Sequence, residues 1–242
     1  MIYKISSKQN SKIKDVLSLY KNSEREKRKE FLVEGFHLFQ MALESGKISS
    51  IFTTKEIDNV PNEISQYIVS EEIMSKISAL KNSQGVICVV KFNEPKNISS
   101  NKILYLDDVS DPGNVGTLLR TALAFSYKDV IVSKNTCSIY NEKVIQASQG
   151  AIFKLNIIEK DFKYLKTLND YQIIATEIKG SVQSNEFKPN EKFVLVLGNE
   201  SRGVRKEILN LANIRLRINI ENIESLNVAI AGAILMYSLK SK

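Results

Sequence analysis

From residue 103 onward the chain alternates between two apolar patterns. Strand-length apolar runs fall at 103–106, 130–132, 155–158, 172–175, 193–197 and 214–220. Between and after them, helical spacing marks 115–125, 140–149, 162–168, 204–211 and 225–240. A strand followed by a helix and then another strand implies a crossover that leaves the two strands parallel. This half is therefore expected to be α/β, with a mostly parallel sheet covered by helices. In such sheets, ligand sites form where strand ends meet helix starts.

Three polar segments sit at such junctions. The first is Asp111-Pro-Gly-Asn-Val-Gly-Thr-Leu-Leu-Arg-Thr-Ala122, after the 103–106 run. Its Pro and Gly enforce a turn before a helix whose apolar stripe is Val115, Leu118, Leu119, Ala122 and Leu123. At about 100° per residue, Arg120 projects away from that stripe and is available to a ligand. The second is Leu195-Val-Leu-Gly-Asn-Glu-Ser-Arg-Gly-Val204, where Gly198 would permit a close backbone approach and Gly203 a turn. The third is Glu224-Ser-Leu-Asn-Val-Ala-Ile-Ala231, opening a helix that is apolar on every face and so is expected to be buried all round.

These segments closely resemble, in order, the three signature motifs of the SpoU/TrmH family of RNA 2′-O-ribose methyltransferases in the SPOUT superfamily, over about residues 103–240. The resemblance implies a deep trefoil knot, a homodimer and S-adenosylmethionine as methyl donor. It implies Asn114, Arg120, Glu200, Ser225 and Asn227 as catalytic residues, and Thr176, Leu197, Gly198, Ile218, Ser225 and Leu226 as cofactor contacts. Glu200 would hold a catalytic arginine or help bind substrate. A guanidinium is effectively always protonated, so Arg120 suits a phosphate or a developing alkoxide better than the role of a base. The chain departs from the family where Ile218-Asn219-Ile220 lacks the usual proline, and the loop that follows is one residue short.

The N-terminal part reads as a second, smaller unit. Residues 5–29 suggest one polar helix with a thin stripe of Ile13, Val16, Leu17 and Tyr20. Residues 31–92 alternate between strands at 48–52 and 85–92 and helices at 36–44 and 71–80. The turn formers of 93–102 suggest a linker. The expected division is a basic helical arm at 1–30, an RNA-binding domain at 31–96 and the methyltransferase domain at 97–242. Phe31-Leu-Val-Glu-Gly35 and Ser83-Gln-Gly-Val86 resemble the substrate-binding domain that precedes many SpoU catalytic domains, itself similar to a class of RNA-binding ribosomal proteins.

Charge supports an RNA partner. Net charge is +7, and residues 1–30 hold nine basic side chains against four acids. Such a cluster would serve as a phosphate-contacting arm, or merely as a solvated helix. Two cysteines and one histidine supply no disulfide framework and no metal site. No apolar stretch is long enough for a membrane span, so a cytoplasmic protein is expected. Ribosomal RNA is the expected substrate; transfer RNA, or binding without catalysis, are the alternatives. A dinucleotide-dependent dehydrogenase lacks its Gly-x-Gly-x-x-Gly signature here.

Overall fold

A computed structural model describes residues 1–239, so the last residue of the expected helix 225–240 lies outside the described residues. Two compact units emerge: residues 1–94 with 140–153, and residues 95–139 with 154 onward.

The first unit holds strand β1 (Ile2–Ile5), helices α1 (Ser11–Ser18) and α2 (Asn22–Arg28), and strand β2 (Glu30–Glu34). It continues through α3 (Phe36–Glu44), β3 (Ile48–Thr53), β4 (Ser65–Val69), α4 (Glu71–Ile77) and β5 (Val86–Lys91). The strands form a mixed sheet ordered β1-β4-β3-β5-β2.

Residues 1–30 are therefore neither one helix nor a separate arm. β1 pairs in parallel with β4, and Ile13, Val16 and Leu19 are buried in the same core as Phe52, Ile73 and Met74. Asn10 caps α1 by accepting from the Lys12 N–H at 2.9 Å. The chain then breaks, because Arg25 is buried with its guanidinium donating to the carbonyls of Leu19 (3.0 Å) and Tyr20 (2.9 Å). Arg28 pairs with Glu30, Lys29 with Glu26 and Lys8 with Glu72. Four of the nine basic groups are thus tied to protein rather than offered to phosphate.

The second unit opens with an extended segment that is anchored rather than a loose linker. Ser99 and Ser100 donate backbone N–H groups to the buried Asp129 carboxylate, at 3.0 and 2.7 Å. Strands β6 (Lys102–Asp107), β7 (Asp129–Val132), β8 (Asn156–Glu159), β9 (Gln172–Thr176), β10 (Val182–Gln183), β11 (Phe193–Gly198) and β12 (Ile214–Arg217) follow. They form a seven-stranded sheet ordered β10-β12-β9-β11-β6-β7-β8, parallel throughout. Helix α5 (Pro112–Ala124) crosses from β6 to β7.

The excursion over residues 140–153 carries α6 (Glu142–Ser148) and belongs to the first unit, so the expected cut at residue 96 is too simple. There Gln146 donates to the Glu34 carbonyl at 2.9 Å, and the Tyr140 ring stacks on Phe92. Helices α7 (Lys206–Leu211) and α8 (Val228–Ser238) complete the second unit. The expected helix at 162–168 is a 3-10 helix over Phe162–Thr167, started by the Asp161 side chain.

Strand alternation separates two cores. Ile103, Tyr105, Val194 and Val196 face one side, with Ile208 of α7. α5 and α8 pack on each other, and a Cβ on Gly232 of α8 would strike Leu118 of α5 and Leu197 of β11. The missing side chain lets α8 sit close, and a larger residue would have to push those two leucine ends aside. The all-apolar α8 is not buried all round in the single chain: Ala229, Gly232, Leu235 and Met236 are covered, whereas Ile230, Ile234 and Tyr237 are exposed at 53%, 38% and 66%.

Candidate active site

In the central register Gly198 lies opposite Asp107, so the loops after β11 and β6 leave the sheet side by side. The chain runs from β6 outward to β7 and β8, then returns to β9 on the far side. The site therefore sits at the carboxyl edge where the winding reverses, as expected of open parallel sheets.

Asp111 is the N-cap of α5: its carboxylate accepts from the Asn114 N–H at 2.8 Å, with Pro112 at the first turn. That Asp-Pro pair is a helix-start signature that the sequence displayed. The cap fixes Asn114 on the first turn. Its Nδ2 donates to Glu200 Oε1 at 3.0 Å, while its Oδ1 accepts from Asn227 Nδ2 at 2.9 Å. Asn227 is the N-cap of α8, its own Oδ1 accepting from Ala229 N at 2.9 Å and Ile230 N at 3.3 Å. The third-motif helix thus starts at Val228, three residues later than the expected Ser225.

Glu200 is the hub. Beyond Asn114, it accepts from the backbone N–H and hydroxyl of Ser110 (3.1 and 2.9 Å), the Asp111 N–H (3.1 Å) and the Asn199 amide (3.4 Å). Lost solvation pushes its pKa up, but the hydrogen bonds from Asn114 and from the backbone N–H groups of Glu200, Asp111 and Ser110 prevail and bring it down to about 2. A carboxylate offers about four lone-pair sites. Five donors saturate it, so it has neither the basicity nor a free lone pair to take a proton from substrate. Among the described residues no arginine bonds to Glu200, whose donors are amides and a serine, so of its two expected roles this chain's own contacts do not supply the arginine pair.

Arg202 of the second motif and Arg205 just after it turn elsewhere. Arg205 donates from Nε to Asp107 Oδ1 at 2.6 Å and from Nη2 to Asp108 Oδ1 at 2.8 Å, beneath the Phe162 ring. Arg202 reaches Asp108 at 3.2 Å. Asp108 has a positive φ of 58°, and its carbonyl accepts from Asn199 Nδ2 at 2.8 Å. Although burial opposes it, bonds from Ser133 and Asn135 and the two guanidiniums hold the Asp108 carboxyl below its ordinary value. Asp107, Asp108, Asn199, Ser110 and Arg205 went unnoticed in the sequence because each acts through a partner 25 to 98 residues distant.

Gly198 also has a structural role. A Cβ there would overlap the backbone of Gly203 and Val204, where Asn199 and Gly203 exchange N–H···O bonds of 3.1 and 2.9 Å. The glycine is required by closure of its own loop, before any ligand is considered. Leu197 is buried with its side chain against α8. Thr176 pairs in register with Leu216, Ala175 with Val196, and Ile218 follows directly after β12. Thr176, Leu197, Gly198 and Ile218 therefore share one sheet edge, with half-buried Leu226 and exposed Ser225 in the loop beyond β12.

Arg120 and Ser225 are exposed and are not drawn into the hub. Arg120 lies six residues beyond Asn114, about 9 Å along α5 and about 120° around it. It makes no hydrogen bond or ion pair among the described residues. No group of three or more metal-ligating side chains occurs among them either.

The SpoU rRNA Methylase family matches residues 101–237, and the MRM3-like substrate binding domain matches residues 10–88. Over 98% of both chains, the sequence is 32% identical to the Bacillus subtilis 23S rRNA (guanosine(2553)-2′-O)-methyltransferase RlmP. An rRNA methyltransferase from Sinorhizobium meliloti superposes with a TM-score of 0.90 at 26% identity, covering 98% of this chain and 97% of that one. Its AdoMet-bound structure gives 0.87 at 25% identity over the same shares. With all three signature motifs converging on one sheet edge and both family matches in register with its two units, this chain belongs to the SpoU rRNA methylase family.

Proposed function

We propose that this protein transfers the methyl group of S-adenosylmethionine to a ribose 2′-hydroxyl of ribosomal RNA. The observation that carries the proposal is the unbroken hydrogen-bond path Asn227–Asn114–Glu200, which welds one residue from each motif into a single frame. The RlmP relative is named for this reaction on 23S rRNA. The 2′-hydroxyl itself selects RNA over DNA.

The backbone at Leu197–Gly198, with Thr176, Ile218, Ser225 and Leu226, is the proposed seat of the donor, because these residues share one sheet edge and the loop beyond it. S-adenosylmethionine supplies an electrophilic methyl on its sulfonium. The chain's task is to hold the ribose oxygen in line with it, which is worth several powers of ten in rate. Glu200 keeps the loops after β6 and β11 together. Asn114 and Asn227 offer the remaining amide groups to the ribose. Arg120, always cationic, faces the developing alkoxide or an adjacent phosphate.

The first unit supplies RNA affinity. Ile230, Ile234 and Tyr237 form an i, i+4, i+7 apolar stripe, and a second copy of the chain is its proposed cover, giving a homodimer. The deep trefoil knot expected from the resemblance belongs to the same proposal, and a ribosomal RNA substrate puts the enzyme in the cytoplasm. Incubation with radiolabelled S-adenosylmethionine and protein-free 23S rRNA, followed by mapping of 2′-O-methyl positions, tests the reading. Label on a base, or none on the RNA, would overturn it.

A further inference from the structure

The two short segments that mark the first unit, Phe31–Gly35 and Ser83–Val86, lie about fifty residues apart but meet at one corner of its sheet. β2 and β3 both run antiparallel to β5, so the ends of β2 and β3 and the start of β5 share that corner. Gly35 donates its N–H to the Val86 carbonyl at 3.1 Å, and Thr54 donates to Gly85 at 3.0 Å. Gly35 and Gly85 hold φ values of +97° and +81°, which bring the loops into contact.

The loop over 78–85 is fixed by the Glu34 carboxylate, only 6% exposed. Glu34 accepts from the Ser78 hydroxyl, from Ala79 N at 3.0 Å and from the Ser83 hydroxyl at 3.0 Å. Next to it, Gln84 Oε1 accepts the Phe36 N–H at 2.9 Å. A buried carboxylate contributes little net stability even when fully bonded. Its result here is geometric: Phe36 stands on pinned backbone, the residue 52% exposed, followed by exposed His37. The adjoining loops carry exposed Lys55 and Lys81, while the Glu34 charge is withdrawn inside.

We propose that this corner is a stacking platform for an unpaired nucleotide of the RNA substrate, with Phe36 beneath the base, Gln84 at its edge and Lys55 and Lys81 toward its phosphates. Aromatic faces with amides and cations are how proteins take single-stranded RNA, and each stacked base contributes a large share of affinity. The inference rests on the RNA-methyltransferase reading but makes a separate claim about which surface grips the RNA.

Two full-length variants, Phe36→Leu and Phe36→Trp, test it with protein-free 23S rRNA as the probe. Binding is read by filter retention, methyl transfer as KM and kcat for RNA, and folding by melting temperature. Leucine keeps an apolar side chain without a π-face, so affinity should fall about ten-fold and KM rise in step. Meanwhile kcat, S-adenosylmethionine affinity and melting temperature should stay unchanged. Tryptophan should bind at least as tightly as wild type. Phe36→Leu within two-fold of wild type for RNA would overturn the platform while leaving the methyltransferase reading intact. Failure of wild type to bind or methylate RNA would defeat both.

Discussion

Asn227 donates its side-chain amide to Asn114 Oδ1 at 2.9 Å, across 113 residues of sequence, while its own Oδ1 caps α8. One side chain thereby starts the last helix and ties it to the first motif. The two jobs can be separated. Asn227→Asp keeps the cap, because a carboxylate accepts from Ala229 N, but sets an acceptor against the Asn114 oxygen. Stability by urea denaturation should remain within about 0.5 kcal/mol, since Asp and Asn cap equally well. Methyl transfer should fall at least ten-fold. Asn227→Ala should lose activity and about 1 kcal/mol as well. Full activity in Asn227→Asp would show that the link to Asn114 is dispensable.

Glu200 should set no acid limb in the pH–rate profile. Its carboxyl is held at about 2, against an ordinary value of 4.5. Because the folded value is lowered, the stabilisation from its ionised form is complete above about 4.5 and is lost as pH falls toward 2. Glu200→Gln should therefore melt below wild type at neutral pH, and the gap should narrow through that window. Its activity should be low at every pH, since Gln sets an NH2 donor against donors that both carboxylate oxygens accept from.

Arg120→Ala should leave thermal stability unchanged, within about 0.5 kcal/mol, because the side chain is exposed and makes no hydrogen bond or ion pair among the described residues. Methyl transfer should nearly vanish while S-adenosylmethionine binding by calorimetry stays near wild type. Arg120→Lys separates charge from shape. A recovered rate would point to a simple cation facing phosphate, and continued inactivity to the planar fork.

Gly198→Ala and Gly203→Ala should differ sharply. The first forces a methyl group into the backbone of Gly203 and Val204, so the loop bearing Glu200 must open, with loss of stability and of S-adenosylmethionine binding. The second meets open space and pays only for a φ of +68°, about 1 kcal/mol. Equal effects in denaturation would contradict the assigned loop geometry.

Ile234→Asp tests the proposed dimer. The change puts a charge on the exposed face of α8 and removes nothing from the core. Light scattering should move from a dimer to a monomer with the melting transition of each chain retained. A wild-type monomer at micromolar concentration would reject the dimer outright.

Periodicity made most of the second unit legible in the sequence. Each of its six expected strands is present, because a parallel strand covered on both faces is a continuous apolar run that little else resembles. The three motifs were legible too, since turn residues at strand ends are local chemistry. What the sequence hid was long-range. β1 and β4 are short and half-exposed, and only pairing across the sheet, β1 on β4 and β4 on β3, makes them strands. Residues 1–30 looked like a free cationic arm because charge is visible in a sequence, whereas the burial of Arg25 against carbonyls is not. The destination of Tyr140–Phe153 in the first unit was equally hidden. So was the choice of Glu200's partners: a carboxylate accepts from any donor that the fold delivers. Here the register of β6 beside β11 delivered backbone N–H groups and Asn114 while directing the neighbouring arginines to Asp107 and Asp108.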